Sequence, residues 1–308
     1  MQRRNAVKLL GTIGLINPIK QVFPLFKESP ITSEIHLFSK HLQWLDYEGM
    51  SKVAKQIGFD GLDLTVRRKG HVLPENVERD LPKAVTAMKK AGLKVEMMTT
   101  TITNIQEPNT EKILKTASQL GIKSYRMGWL KYKDNQPIAE QIEHFKTQLK
   151  ELEEMNEYYK IRGDYQNHAG NSLGAAVWDI WLLIKDLNPE WLGCQYDIRH
   201  AIVEGMNSWE VGLKLLQSHI QTLDFKDFIY IQKENEWSIK NTPLGEGAVD
   251  FRKYIQLLKV LNIDKPISLH AEYDLGGAEH GAKKLSISPE IVKATLKRDL
   301  TRLKALLV

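Results

Sequence analysis

From Ser33 to the C-terminus the chain alternates two apolar patterns. Short apolar runs, rich in β-branched and aromatic residues, occupy 34–38, 61–66, 94–99, 123–127, 161–166, 193–197, 220–225 and 266–272; each reads as a buried strand. Between them, 46–57, 81–91, 110–120, 138–158, 173–187, 208–216 and 251–261 carry apolar residues at three- and four-residue spacing, as does the closing segment 289–307. That spacing predicts amphipathic helices. Gly58, Gly92 and Gly121 fall where the first three helices should end, the usual place for a left-handed C-terminal residue, and Asn188–Pro189 stops another.

Eight successive strand–helix units predict an α/β chain closed into a single (β/α)8 TIM barrel. A doubly wound open sheet is the alternative, but it usually carries a glycine-rich loop after its first strand, and here that loop reads Ser39-Lys40-His41-Leu42. One irregularity, 228–247, alternates Ile229/Ile231 and Trp237/Ile239 and predicts a small hairpin after the seventh strand. The domain reading is therefore an N-terminal extension over 1–28 and one barrel over 29–308.

The extension, MQRRNAVKLLGTIGLINPIKQVFPLFKE, sets an arginine pair before a modest apolar stretch, resembling a twin-arginine export leader. Ala6 stands where that signal prefers an aromatic residue, and no small-x-small cleavage site precedes Glu28. The two readings are an export leader, which places the protein in the periplasm, and a plain extension of a cytoplasmic protein. The apolar run is shorter than the roughly 20 residues of a membrane span, so no stable span is expected.

Charge narrows the partners. The formal net charge is +5, but the extension holds five basic residues (Arg3, Arg4, Lys8, Lys20, Lys27) against Glu28 alone, which leaves about +1 on the barrel. That argues against a nucleic-acid surface, and with it against an apurinic-site endonuclease. The single cysteine, Cys194, excludes an internal disulfide and any Cys/His zinc pattern.

The chemistry should lie at the C-terminal strand ends, which face the mouth of such a barrel. Strand five ends in Asp164, Gln166 and His168 on one face; strand six ends in Asp197, with His200 three residues on; strand seven offers Thr222, Asp224 and Lys226; strand eight offers His270 and Glu272. Taken singly, each could be a loop cap or a buried hydrogen-bond partner. Together, the buried like charges of Asp197, Asp224 and Glu272 would repel unless a cation sat among them, and a divalent metal with oxygen and nitrogen ligands is the simplest resolution.

Three segments are similar to the xylose isomerase-like TIM barrels, the sugar phosphate isomerases and epimerases: Gly58-Phe59-Asp60-Gly61-Leu62-Asp63-Leu64, Asp197-Ile198-Arg199-His200, and Pro243-Leu244-Gly245-Glu246-Gly247 followed by Val249-Asp250-Phe251. The resemblance implies one metal ion held by Glu, Asp, His and Glu from strands five to eight, with the glutamates shuttling protons. Here the four positions carry Gln166, Asp197, Asp224 and either His270 or Glu272. They still offer donors for one Mn²⁺, Mg²⁺, Co²⁺ or Zn²⁺ ion, but Gln166 cannot take a proton, so two opposed carboxylates cannot do the chemistry. The implied activity is isomerisation or epimerisation of a small sugar or keto-sugar through an enediolate. In it Glu272 abstracts the proton or ligates the metal, His168 or His200 acts as partner acid, and Lys226 neutralises developing charge or merely pairs with an aspartate. Arg67 and His71 after strand two, and Trp129 after strand four, are candidate substrate contacts. The glycine-rich 276–281 reads as a lid, and Trp178 and Trp181 as helix-packing residues. Competing readings are a lyase or hydrolase on keto-glycosides using the same enolisation and a non-catalytic sugar-binding barrel; a homo-oligomer is compatible with all of them.

Overall fold

Eight parallel strands close on themselves: β1 (Ile35–Phe38), β2 (Gly61–Thr65), β3 (Lys94–Thr99), β4 (Ser124–Arg126), β5 (Arg162–Gln166), β6 (Leu192–Asp197), β7 (Ile220–Phe225) and β10 (Ile267–Leu269), with β10 hydrogen-bonded to both β7 and β1. This computed structural model describes residues 31–308. The proposed leader, 1–28, lies outside the described residues.

Helices α1 (Tyr47–Ile57), α2 (Val77–Lys90), α3 (Thr110–Leu120), α4 (Ile138–Tyr159), α5 (Val177–Ile184), α6 (Ile198–Gly205), α7 (Trp209–Leu216), α8 (Phe251–Val260) and α9 (Pro289–Leu307) surround the strands. None of the described helices is long and apolar enough to cross a membrane. Asp46 caps α1 by accepting from the Gly49 N–H, and Gly58 ends it at φ 106°, a conformation that costs other residues a steric penalty.

The layering follows from two-residue alternation. Outward positions such as Leu37, Leu62, Leu64, Tyr125, Tyr165, Tyr196, Leu223, Phe225 and Leu269 are fully buried against the helices. Inward positions are polar. The Thr99 and Ser268 hydroxyls donate to Asp63 at 2.8 Å each, and Arg162 pairs with Asp164 at 2.8 Å. Barrel interiors of this kind are usually filled by branched aliphatics. A polar interior must instead satisfy every group internally, because a buried unpaired donor or acceptor costs about 1–3 kcal/mol.

Several boundaries differ from the expected ones. Helix α2 begins four residues before Leu81, because Pro74–Asn76 forms a 3₁₀ turn leading into it. Helix α5 is the short centre of the expected 173–187. Helix α6 is not among the expected helices: its nucleus is local, with the Asp197 carboxylate accepting from the His200 N–H at 3.1 Å. The pairing of β10 stops at Leu269, although the His270 N–H still donates to Phe225 at 3.0 Å, so the chain keeps its course to Glu272. The expected hairpin is β8 (Asp227–Lys233) with β9 (Glu236–Thr242), joined by Glu234 and Asn235, both at positive φ as a two-residue turn requires.

Candidate active site

At the mouth, β5, β6 and β7 set three side chains into one buried cluster. The Gln166 amide nitrogen donates to Asp197 Oδ2 at 2.9 Å and to Asp224 Oδ2, while its carbonyl oxygen accepts from Arg126 at 3.0 Å. With carboxylates on one side and a guanidinium on the other, only this amide orientation satisfies the network. Gln195 donates to Asp224 Oδ1 at 2.5 Å. Lys226, one residue past β7, places Nζ 2.9 Å from Asp197 Oδ2 and 3.3 Å from Glu272 Oε2, and Lys40 after β1 reaches Glu272 Oε1 at 2.7 Å. His270 lies between two acids, with Nε2 3.3 Å from Asp224 and Nδ1 3.8 Å from Glu272, and its ring stacks on Phe38 at 4.3 Å.

The protonation states follow from these contacts. Burial pushes the Asp197 carboxyl up, which Lys226 offsets only in part. For Asp224 burial acts the same way, but the neighbouring His270 outweighs it and holds the group below the usual carboxylate range. Burial disfavours the His270 imidazolium, yet Asp224 raises its pKa above the ordinary value. Burial likewise opposes ionisation of Glu272, and Lys226 and Lys40 together drive its pKa well below normal. Burial opposes the charge on Lys226, but Asp197 and Glu272 raise its pKa. Asp197, Asp224 and Glu272 thus face the amines of Lys226 and Lys40 and the imidazole of His270.

One wall of the mouth is cationic. Lys40, Arg67 and Arg126 stand 5.1, 5.6 and 5.5 Å from the Phe38 ring centre. Burial, together with the adjacent Arg126, lowers Arg67 to about 10, and Arg126 Nε is buried without a partner. The facing wall is aromatic: Trp129 lies 4.4 Å from the His168 ring, and His168 lies 4.0 Å from the His200 ring. The Ala169 N–H donates to His200 Nδ1 at 3.1 Å, which leaves the proton on Nε2, 3.6 Å from Asp197. Burial lowers His168 to about 4 and His200 well below its ordinary value, so both are neutral at pH 7 and neither serves as a charged acid.

The structure therefore brings Gln166, Asp197, Asp224, His270, Glu272 and Lys226 together, with His168, His200, Trp129 and Arg67 around them. His71 is engaged elsewhere. Its nitrogens lie 3.2 Å from the Thr65 hydroxyl and 3.3 Å from the Leu42 carbonyl, and burial lowers it to about 4, so it ties the first two strand-end loops together. The 276–281 loop is closed by its own Glu279, which accepts from the Leu275 and Gly277 N–H groups at 3.0 and 2.9 Å. Trp178 is 54% exposed and so does not pack its helix onto the barrel; Trp181 is packed against the core. Lys40, Arg126, Gln195 and Phe38 escaped the sequence reading. Arg126 and Phe38 sit at the ends of expected strands, where the two-residue period alone marks them as facing the mouth.

The same contacts test the implied divalent ion. A ligand must turn an oxygen or a bare nitrogen toward the metal, yet Gln166 presents its NH₂ to the centre and commits its oxygen to Arg126. The ammonium of Lys226 stands between Asp197 and Glu272, where a cation would bridge them. As arranged, the donor set of the mouth does not fit a divalent ion. Among the described residues, the His/carboxylate group whose ligand atoms all lie within 4.8 Å of one another is Glu34, His36 and Glu96, at the opposite end of the barrel.

The motifs around the mouth have structural roles. The Asp227 carboxylate accepts from the N–H groups of Phe228, Gly245, Gly247 and Val249 at 2.8, 2.8, 2.9 and 3.2 Å, so the Leu-Gly-Glu-Gly turn wraps it and anchors the hairpin. Arg199 donates to Asn241 on that hairpin at 2.9 Å, and Asn241 in turn donates to the Glu272 carbonyl at 3.1 Å.

Solved structures with the same fold include an L-ribulose 3-epimerase (13% identity, covering 89% of this chain and 94% of that one, TM-score 0.67). A 3-keto-D-glucoside 4-epimerase from E. coli matches at 13% identity over 87% and 99%, TM-score 0.63. A xylose isomerase-like TIM barrel protein from Mycobacterium smegmatis, solved in complex with magnesium, matches at 14% identity over 90% and 98%, TM-score 0.61. At these identities the likeness establishes the fold. No curated protein matches this sequence. The family model described as xylose isomerase-like TIM barrel matches residues 51–291, most of the chain and nearly all of its barrel. With that match and the closed eight-stranded barrel, the chain belongs to the xylose isomerase-like TIM barrel family.

Proposed function

We propose that the mouth isomerises or epimerises a small keto-sugar by proton transfer next to the carbonyl, with lysine ammonium groups supplying the positive charge. One observation carries the reading. Of the three mouth carboxylates, Asp197 and Asp224 are sealed at 0% exposure, while the Glu272 side chain is 23% exposed and lies between Lys226 and Lys40. A base must reach its substrate.

In this reading Glu272 takes the proton from the carbon beside the ketone. The electron pair of that C–H bond becomes the C=C π bond of the enediolate as the carbonyl π pair moves onto oxygen, where Lys226 or Lys40 meets the developing charge. Delivery of a water-borne proton to the opposite face inverts the centre; return of the Glu272 proton to the former carbonyl carbon, with the hydroxyl proton passing between the two enediolate oxygens, moves the carbonyl. Trp129 and His168 offer a surface for the sugar ring. Arg67, Arg126 and Lys40, together on one wall with an unpartnered guanidinium nitrogen, favour a substrate bearing a carboxylate or phosphate.

The test is exchange of a substrate C–H in D₂O, followed by proton NMR across a panel of neutral and anionic keto-sugars. Glu272→Gln should lower the exchange rate by about 10²–10⁴-fold with the circular dichroism spectrum unchanged. A variant that exchanges at the wild-type rate would remove Glu272 from the reaction. Calorimetric binding with no exchange in the wild type would mark a binding barrel instead.

A further inference from the structure

We infer that the N-terminal end of the barrel holds a second, independent ligand site: a cradle for one Zn²⁺-class divalent ion formed by Glu34, His36 and Glu96. One ligand atom from each lies within 4.8 Å of the others. The imidazole is the decisive member. His36 is at 0% exposure, and neither ring nitrogen has a hydrogen-bond partner, a costly state for two polar atoms of one buried side chain. Glu34 Oε2 is also buried and unpartnered.

The backbone is shaped around this ring. His36 stands beside Gly61 in the β1–β2 register, and a Cβ on Gly61 would fall 2.5 Å from His36 Cδ2 and 2.8 Å from Nε2. No other residue leaves the imidazole its place. The β2–β3 register shifts between Gly61 and Asp63, so β3 carries an extra residue there, and Glu96 lies within this bulged stretch.

Charge and donor chemistry select the ligand. Burial lowers the His36 pKa, so the ring is neutral and has a lone pair to give. Lys94 pairs with Glu34 Oε1 and Lys123 with Glu96 Oε1, each lysine side chain being more than half exposed, so both cations approach from the solvent side. One imidazole nitrogen and two carboxylate oxygens suit Zn²⁺ and similar borderline ions better than Mg²⁺ or Ca²⁺, with water in the remaining position. Separations of up to 4.8 Å compare with the roughly 3.4 Å between ligands on a tetrahedral ion, a difference that rotation of two glutamate side chains closes. An ion there would tie β1 to β3 across β2, far from the mouth and independent of its chemistry.

The experiment is calorimetric titration of the EDTA-stripped full chain with zinc sulfate, alongside Glu34→Gln, Glu96→Gln, His36→Gln and, as the mouth control, Glu272→Gln. The site predicts one equivalent bound by the wild type and by Glu272→Gln. In each of the three cradle variants the Kd should rise at least tenfold, with circular dichroism unchanged. Bound zinc should also raise the Tm of the wild type and leave that of Glu96→Gln unmoved. Should His36→Gln fail to fold, the two partly exposed glutamates carry the test. Absence of a bound equivalent, its persistence in Glu96→Gln, or its loss in Glu272→Gln overturns the proposal.

Discussion

At the residue scale, the arrangement turns on Lys226 and Gln166. Lys226 is 4% exposed and serves two carboxylates. Replacing it by methionine leaves Asp197 buried beside Asp224 without compensation, a change that costs about 3–5 kcal/mol when one partner of a buried pair is removed. Chemical denaturation of Lys226→Met should show that loss, with exchange activity falling as well. Gln166→Glu is the converse case. It replaces an NH₂ donor facing two carboxylates with a third acidic group, so the variant should be less stable than the wild type in EDTA and regain stability with added Mn²⁺. A variant as stable as the wild type in EDTA would show that the amide is not balancing the aspartates. The positions themselves were legible in the sequence, because a strand's two-residue period fixes which side chains face inward. Their partners were not, since Lys40 reaches Glu272 from the far end of the chain and nothing local records that contact.

At the element scale, the turn around Asp227 holds the hairpin and the mouth together. A Cβ on Gly247 would lie 2.2 Å from Asp227 Oδ1 and 2.3 Å from the Phe228 carbonyl, both fixed by the turn itself. Gly247→Ala should therefore lower the Tm by several degrees, in line with a loss of about 2 kcal/mol or more, and loosen the hairpin, which limited proteolysis would detect. The elements were largely readable because strands and helices differ in period. Helix α6 follows β6 with no intervening loop: Asp197 is both the last residue of the strand and the N-cap of the helix, so no break in the sequence marks where the helix begins. The pairing of β10 is shorter than the expected strand because the alternation of 266–272 continues beyond the paired residues.

At the scale of the whole molecule, buried histidines set the response to acid. His36, His41, His71, His168 and His200 all have pKa values lowered by burial. Each stabilises the fold fully above the unfolded value near 6.5 and loses that contribution as pH falls toward its folded value, about 4 for His71. For His71 alone the shift corresponds to roughly 3 kcal/mol. His270 has the opposite sign: its raised pKa stabilises below 6.5, and that contribution fades as pH rises through the folded value. Glu272, with its depressed pKa, adds stability that disappears only below the ordinary carboxylate range. The five outweigh the one, so urea midpoints should fall steeply from pH 6.5 to pH 4. A flat profile over that interval would contradict the neutral, buried state of these rings.

The most direct test of the central claim is the pH dependence of substrate C–H exchange in EDTA-treated protein. With Glu272 as the base and lysines as the cations, exchange should proceed without added metal and persist as pH is lowered through the ordinary carboxylate range near 4.5, for as long as the fold survives; Glu272→Gln should lower it by about 10²–10⁴-fold throughout. Exchange that needs Mn²⁺ or Mg²⁺, or that continues unchanged in Glu272→Gln, would contradict the account.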